Sequence, residues 1–174
     1  MKITGRNIKR RLYGLSRIPS NIKRARYWRG HGVHSPYVYS IVRQVFMARD
    51  VKGNSYDLMK ILLGKGIAKK RAIELQNLVA HCKYNTYAID ITPQQMEGFD
   101  FVISTLQAGN EILNPLAKRA EELGSTLCII SPSYDFARNK VCKALVEAHP
   151  CTSIDNRGYL LLFNNHLPKQ VFEL

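Results

Sequence analysis

The chain has 174 residues, 45% of them hydrophobic, and carries a net charge of +13 at pH 7. That length suits one domain with a substantial core and leaves little room for a second. No apolar run approaches the roughly 20 residues that cross a bilayer, and the start lacks the apolar stretch of a secretory signal, so neither a transmembrane segment nor export is expected.

The charge is unevenly placed. Lys2, Arg6, Lys9, Arg10, Arg11, Arg17, Lys23, Arg24, Arg26, Arg29, Arg43 and Arg49 all precede Asp50, the first acid, whereas the remainder is close to neutral. Solvated basic clusters draw in polyanions and say little about fold. The chain therefore reads as a basic arm followed by a compact body. Cys82, Cys128, Cys142 and Cys151 stand singly, without CxxC spacing, which points to free thiols in a reducing cytoplasm and not to zinc or disulfides.

In chain order, Ile8, Leu12 and Leu15 give a first helical pattern, broken between Ser16 and Pro19, and a second short basic helix is expected from about Ser20 to Trp28. Ser35 followed by Pro36 is a helix start, because the hydroxyl caps and proline lacks only an amide hydrogen that would be unpaired there. Val38, Ile41, Val42, Val45 and Phe46 form the apolar stripe of that helix, expected to end near Asp50. Two further helices follow, from Ser55 to Leu63 and from Ala68 to Cys82. From Tyr84 strands alternate with helices, which argues for an α/β sheet. Strands are expected at Tyr87 to Ile91, Phe99 to Thr105 and Thr126 to Ser131, with helices at Asn110 to Leu123 and Tyr134 to Ala148. The second of these helices should turn Phe136, Val141, Leu145 and Val146 inward. Thr152 to Asp155 and Tyr159 to Asn164 make an antiparallel hairpin through Asn156, Arg157 and Gly158. The link between the first two strands, Thr92 to Gly98, is shorter than a normal parallel crossover.

This order, ending in a reversed hairpin, resembles the second half of a class I S-adenosylmethionine-dependent methyltransferase. The segment Gly30-His31-Gly32-Val33-His34-Ser35-Pro36-Tyr37-Val38-Tyr39 is similar to the HGVHSPFVF-type segment of a group of bacterial O-methyltransferase-like proteins. The stretch from Ser153-Ile154-Asp155 through Gly158 to Leu162-Phe163, then Lys169-Gln170-Val171-Phe172, is similar to that group's ending. The resemblance implies an α/β fold: a truncated Rossmann-like methyltransferase sheet of about five mostly parallel strands with a C-terminal antiparallel hairpin, preceded by N-terminal helices. It also implies three regions: a basic helical arm (1–30), helices packing on the body (31–83) and the methyltransferase-type half domain (84–174).

The departure from the family is in the middle. The family's first strand ends in an acid and enters a glycine-rich turn that lets the backbone approach the cofactor. Here Asp90 stands in the acid's place, no glycine follows until Gly98, and Pro93 removes a donor. The segment that would hold the next two strands and the ribose-binding acid is missing, and the fourth strand ends in Ser104 and Thr105. Asp90 and Ser104 are thus the cofactor-binding candidates if S-adenosylmethionine binds at all, and the expectation is that it does not.

Other signals are weaker. Ser131-Pro132-Ser133-Tyr134 resembles the [DNS]PP[YF] motif of methyltransferases acting on base amino groups, although a plain turn with Ser133 or Asp135 as helix cap is the simpler reading. His31 and His34, without convergent acids or cysteines, do not make a metal site. Cys142 and His149 lie two helical turns apart, too far for a nucleophile and base. Asp100 and Asp155 also fall at or near strands. The polyanion-binding candidates are Arg10, Arg11, Lys23, Arg24, Arg26 and Arg29, in a stretch (1–49) where Tyr13, Tyr27, Trp28 and Tyr37 add stacking surfaces.

The leading expectation is a bacterial, cytoplasmic, methyltransferase-like binding or scaffold protein without a working cofactor site. An active methyltransferase with an atypical site, and an RNA- or DNA-binding protein acting through the arm, are the alternatives. Because the sheet begins at what would be a middle strand, its edge needs covering, and homodimerisation there is one way to cover it.

Overall fold

The structure is a computed structural model that describes Tyr13, Leu15 and residues 33–174. It divides at Thr86 and Tyr87 into two compact units, one helical and one built on a sheet. The two helices expected before residue 30 and the cationic candidates Arg10, Arg11, Lys23, Arg24, Arg26 and Arg29 lie outside the described residues; of that region only Tyr13 and Leu15 are described, and both are helical.

In the helical unit, α1 (Pro36–Ile41) starts as its sequence dictates, with the Val38 amide donating to the Ser35 hydroxyl and proline in the first turn. It runs into a π-helical turn, Val42–Phe46, and ends there, short of Asp50. The expected apolar stripe is buried throughout. The next helices are α2 (Asp57–Gly64) and α3 (Lys69–Cys82). On α3, residues 72–78 are all buried, polar ones included, because each polar side chain there has work to do. The Asn77 carboxamide accepts from the Lys52 amide at 2.7 Å and donates to the Asp50 carbonyl at 3.0 Å, pinning the turn before α2. Gln76 accepts from the Met59 amide at 3.1 Å, and Glu74 pairs with Arg71 at 2.7 Å. Buried polar groups satisfied in this way fix one arrangement of the helices at little net cost.

The second unit is a six-stranded, mostly parallel α/β sheet in the order β1-β2-β3-β5-β4-β6. Its strands are β1 (Tyr87–Ile89), β2 (Phe101–Ser104), β3 (Thr126–Ile130), β4 (Ser153–Asp155), β5 (Tyr159–Leu162) and β6 (Val171–Glu173). Only β5 runs antiparallel to its neighbours, β3 and β4, and forms the expected hairpin with β4. The sixth strand goes beyond the five expected: β6 pairs parallel with β4, Ser153 opposite Val171. Three residues give almost no alternation to read, and the strand exists because β4 offers it a ladder.

Between β1 and β2 the link contains only a 3₁₀ turn, Pro93–Gln95, closed by a capping box between Thr92 and Gln95. Helix α4 (Leu113–Leu123), entered through a 3₁₀ turn at Asn110–Ile112, joins β2 to β3. Helix α5 (Phe136–Ala148) joins β3 to β4. Gly124 ends α4 with φ +70°, where the Ser125 amide donates back to the Ala120 carbonyl at 2.9 Å. Both helices pack on one sheet face: Leu113, Leu116 and Ala120 of α4 and Cys142 and Leu145 of α5 close over Val102, Leu127, Ile129, Leu160 and Leu162. Every residue of β2, β3 and β5 is buried. Cys128 sits fully buried in the central strand, and all four cysteines are free thiols. One expectation fails on α5: Phe136 does not point inward but is 71% exposed. Position 136 is out of step with the buried positions 138, 142 and 145, so the helix periodicity puts it on the outer side. No helix among the described residues is long and apolar enough to cross a membrane.

Candidate functional site

In an open parallel sheet, the crevice beyond the carboxyl ends of the strands is where ligands bind. In this chain that edge is built from the residues that follow β1, β2 and β3. β1 stops at Ile89 and not at Ile91, because Asp90 turns into the left-handed region with φ +55°. Aspartate tolerates that conformation better than most side chains. The Asp90 amide still donates to the Ile103 carbonyl at 2.8 Å, so the residue is anchored to β2 while its carboxylate swings over the strand end. There it meets Thr105: the Thr105 amide donates to Oδ1 at 2.7 Å and the Thr105 hydroxyl to Oδ2 at 2.8 Å. The same hydroxyl accepts from the Gln107 amide at 3.1 Å. Each carboxylate oxygen is engaged, and the loop after β2 is tied to the end of β1.

Beside this pair lies Arg138, only 2% exposed and the largest fully buried side chain among the described residues. Its backbone is set by Asp135, which caps α5 by accepting from the Arg138 amide at 2.8 Å; of the two expected cap residues, Asp135 is the one used. The guanidinium donates to the Ile130 carbonyl through Nε at 3.3 Å and Nη2 at 3.2 Å, to the Thr105 carbonyl at 3.3 Å, and to Asn110 Oδ1 at 3.0 Å. A planar fork with five donors suits three acceptors at different angles. Burial lowers the pKa of Arg138 from its ordinary value, and the charge of Cys142, Asp135 and Asp90 works against that shift; the side chain stays cationic. The carboxyl ends of β2 and β3 are thus laced together by a buried cation that feels the charge of Asp135 and Asp90.

Ser104 takes no part in this lacing. It is fully buried, and its hydroxyl oxygen has no hydrogen-bond partner. By strand alternation it shares the face of Val102, under the helices. So the structure sets Asp90 against Thr105, with Arg138 bonded to the same Thr105 through its carbonyl, and not against Ser104. Thr105 was visible from sequence as the end of a strand. Arg138 was missed, yet it had a signal: positions 138, 142 and 145 lie on one helix face, and an arginine in an otherwise apolar stripe has to be explained.

The segment after β3 is a tight turn. Ser131 has φ +51°, its amide donates to the Gly158 carbonyl at 2.8 Å, and the Tyr134 amide donates back to the Ser131 carbonyl at 3.0 Å. Asn139 donates to the Ser133 hydroxyl at 3.0 Å. Phe136 stands beside the turn, edge-on to the Tyr13 ring with centroids 6.4 Å apart. Cys142 and His149 are both buried. Burial pushes the Cys142 thiol up to about 11, with the charge of Arg138 pulling it down and that of Asp155 pushing it up, so it is no nucleophile at neutral pH. His149 Nε2 bonds the Phe163 carbonyl at 3.0 Å, and burial lowers its pKa. Asp100 accepts through its carbonyl from the Thr126 amide at 2.9 Å. His34 is exposed, and His31 lies outside the described residues. Among the described residues no group of three or more His, Cys, Asp or Glu could hold a metal ion.

Comparison with protein-family models, with curated proteins and with solved structures finds no match for this chain.

Proposed function

We propose that the chain is a methyltransferase-like protein, with a truncated Rossmann-like sheet, that works by binding and not by methyl transfer. The reading is supported by the parallel β1-β2-β3 core followed by the reversed β4-β5 hairpin, and by the two flanking segments whose sequences resemble the O-methyltransferase-like group. The observation that carries the loss of chemistry is the closure of the strand ends. The residues there do not fit S-adenosylmethionine: both Asp90 oxygens already accept from Thr105, Arg138 laces the neighbouring strand ends, and no glycine between Asp90 and Gly98 lets the backbone come close. A carboxylate and a guanidinium that are satisfied internally hold a shape; they do not capture a ligand. The polyanion-binding role falls to the acid-free stretch before Asp50, with RNA or DNA as the partner.

Calorimetric titration with S-adenosylmethionine, and separately with S-adenosylhomocysteine, tests the reading. The expected result is no heat and no thermal stabilisation at millimolar ligand. Micromolar binding would overturn it and leave an atypical methyltransferase as the better description.

A further inference from the structure

The part of the chain from Asp50 onward is close to neutral only as a whole. Residues 50–86 carry seven lysines or arginines against Asp50, Asp57 and Glu74, whereas residues 87–174 carry seven against ten acids. Five of the first seven lie between Lys60 and Arg71, a stretch without an acid. That stretch is the hairpin joining α2 to α3, so the helical unit carries a second cationic cluster, separate in sequence from the arm.

The turn of this hairpin is closed from within. The Gly66 amide donates to the Leu63 carbonyl at 2.9 Å and the Ile67 amide to the Leu62 carbonyl at 3.0 Å, with Gly66 at φ +79°. This Schellman arrangement ends α2 and occupies its last carbonyls. The cations around it do not serve the fold. Lys69 and Lys70 stand in the first turn of α3, which holds no acid and where the helix macrodipole disfavours bases. Lys70 lies 3.9 Å from Glu74, but that carboxylate is held by Arg71 at 2.7 Å, and the Lys70 side chain stays 66% exposed. Lys60 is exposed on the side of α2 away from the buried Leu58 and Leu62. Among the described residues neither Lys60 nor Lys69 makes a side-chain hydrogen bond or ion pair. Gly64 is a second, independent feature. It ends α2 without the positive φ of Gly66, so its backbone does not require glycine, and a Cβ there would meet open space. Glycine is among the poorest helix formers. A bare backbone at that place weakens the helix and relieves no crowding, but it lets another surface come close.

We infer that the α2–α3 hairpin binds the phosphate backbone of a nucleic-acid duplex, with Lys60, Lys69 and Lys70 neutralising phosphates and the glycine tip admitting the backbone between them. A duplex carries one negative charge for about every 1.7 Å of its axis, a density that suits lysines gathered on one hairpin. Contacts of this kind position a duplex without reading its sequence. An anionic membrane fits less well. The exposed apolar residues of α2, Ile61 and Leu63, are two positions apart and so about 160° from one another around the helix, which leaves no single face to insert. Hairpin and arm are separate contacts, and the hairpin needs only the helical unit.

The test is fluorescence anisotropy of a short labelled DNA duplex titrated with the full chain over a series of salt concentrations. Lys60→Gln, Lys69→Gln and Lys70→Gln together are expected to weaken binding about tenfold and to lower the log-log salt slope by about 2.7, at about 0.9 for each phosphate. Gly64→Leu should weaken binding several-fold with the thermal midpoint unchanged or raised, which separates a lost contact from a lost fold. A variant reversed at Arg10, Arg11, Lys23 and Arg24 keeps the arm's contribution apart: the duplex binding it retains should disappear when the three lysine changes are added. Loss in the hairpin variants with the arm variant unaffected would uphold the hairpin and remove the arm as a site. Unchanged affinity and slope in the hairpin variants would overturn the inference, as would a native chain that binds no duplex at low salt. Binding to phosphatidylserine vesicles in place of the duplex, lost with the same lysines, would overturn it in favour of a membrane-facing surface.

Discussion

Thr105 holds both oxygens of the Asp90 carboxylate, one through its amide at 2.7 Å and one through its hydroxyl at 2.8 Å, across a gap of fifteen residues. A carboxylate gripped by an amide and a hydroxyl is a structural clasp of the kind that bonds to charged groups make strong. Asp90→Ala removes both bonds and places alanine at φ +55°, where its Cβ is disfavoured. The expected loss is about 3 kcal/mol in urea denaturation, whereas Asp90→Asn, which keeps one acceptor and tolerates the conformation, loses about 1 kcal/mol. Unchanged stability in Asp90→Ala would mean that the carboxylate is held for a ligand and not for the fold.

Arg138→Met keeps much of the buried volume and removes the cation, leaving the Thr105 carbonyl with one donor fewer and the Ile130 carbonyl with two fewer. The expected cost is about 3 kcal/mol. Arg138→Lys restores charge but not the planar fork, so about half of that loss should persist. Denaturant midpoints of the two variants check the order.

Acid should weaken the sheet unit through His149. Burial lowers its pKa below the ordinary 6.5, so the unfolded chain takes up a proton before the folded one does. The contribution is complete above pH 6.5 and is lost as the pH falls through the unfolded value toward the lower folded value. His81 in the helical unit shifts in the same direction, chiefly by burial and then by the charge of Lys52. Stability measured from about pH 7.5 down to about pH 5 should therefore decline. His149→Gln, which keeps a donor for the Phe163 carbonyl, should flatten the decline by removing one of the two histidines whose pKa burial lowers.

If the arm holds RNA, affinity should fall steeply with salt, with a log-log slope of about 0.7–0.9 for every phosphate neutralised. Reversing Arg10, Arg11, Lys23 and Arg24 together should abolish filter-retained RNA and remove most of that slope. Intact binding in the reversed variant would relocate the interface.

Much of the sheet unit was legible from sequence because its strands are apolar runs punctuated by glycine, proline and a capping acid. The apolar stripe from Val38 to Phe46 likewise followed from spacing, whereas the helix cap was narrowed only to Ser133 or Asp135. β6 was not legible, since Val171–Glu173 has neither length nor alternation and depends on the ladder supplied by β4. Phe136 was misread because an aromatic at the start of a helix looks like core until the phase set by 138, 142 and 145 is counted. In the candidate site, Asp90 was found by its place at a strand end. Arg138 was not, because its acceptors at the strand ends are mainly backbone carbonyls, which the sequence does not mark; only its place in an apolar helix stripe points to it.

The placement of the four thiols has one more consequence. Cys128 is sealed in the central strand, its ionisation pushed well up by burial, and Cys142 is nearly as enclosed, while Cys82 and Cys151 are partly accessible. An alkylating reagent would therefore mark Cys151 and Cys82 first, and Cys128 only in molecules whose sheet has come apart. With Cys82 in the helical unit and Cys128 in the sheet unit, the order of labelling along the chain is a clock of which half opens first.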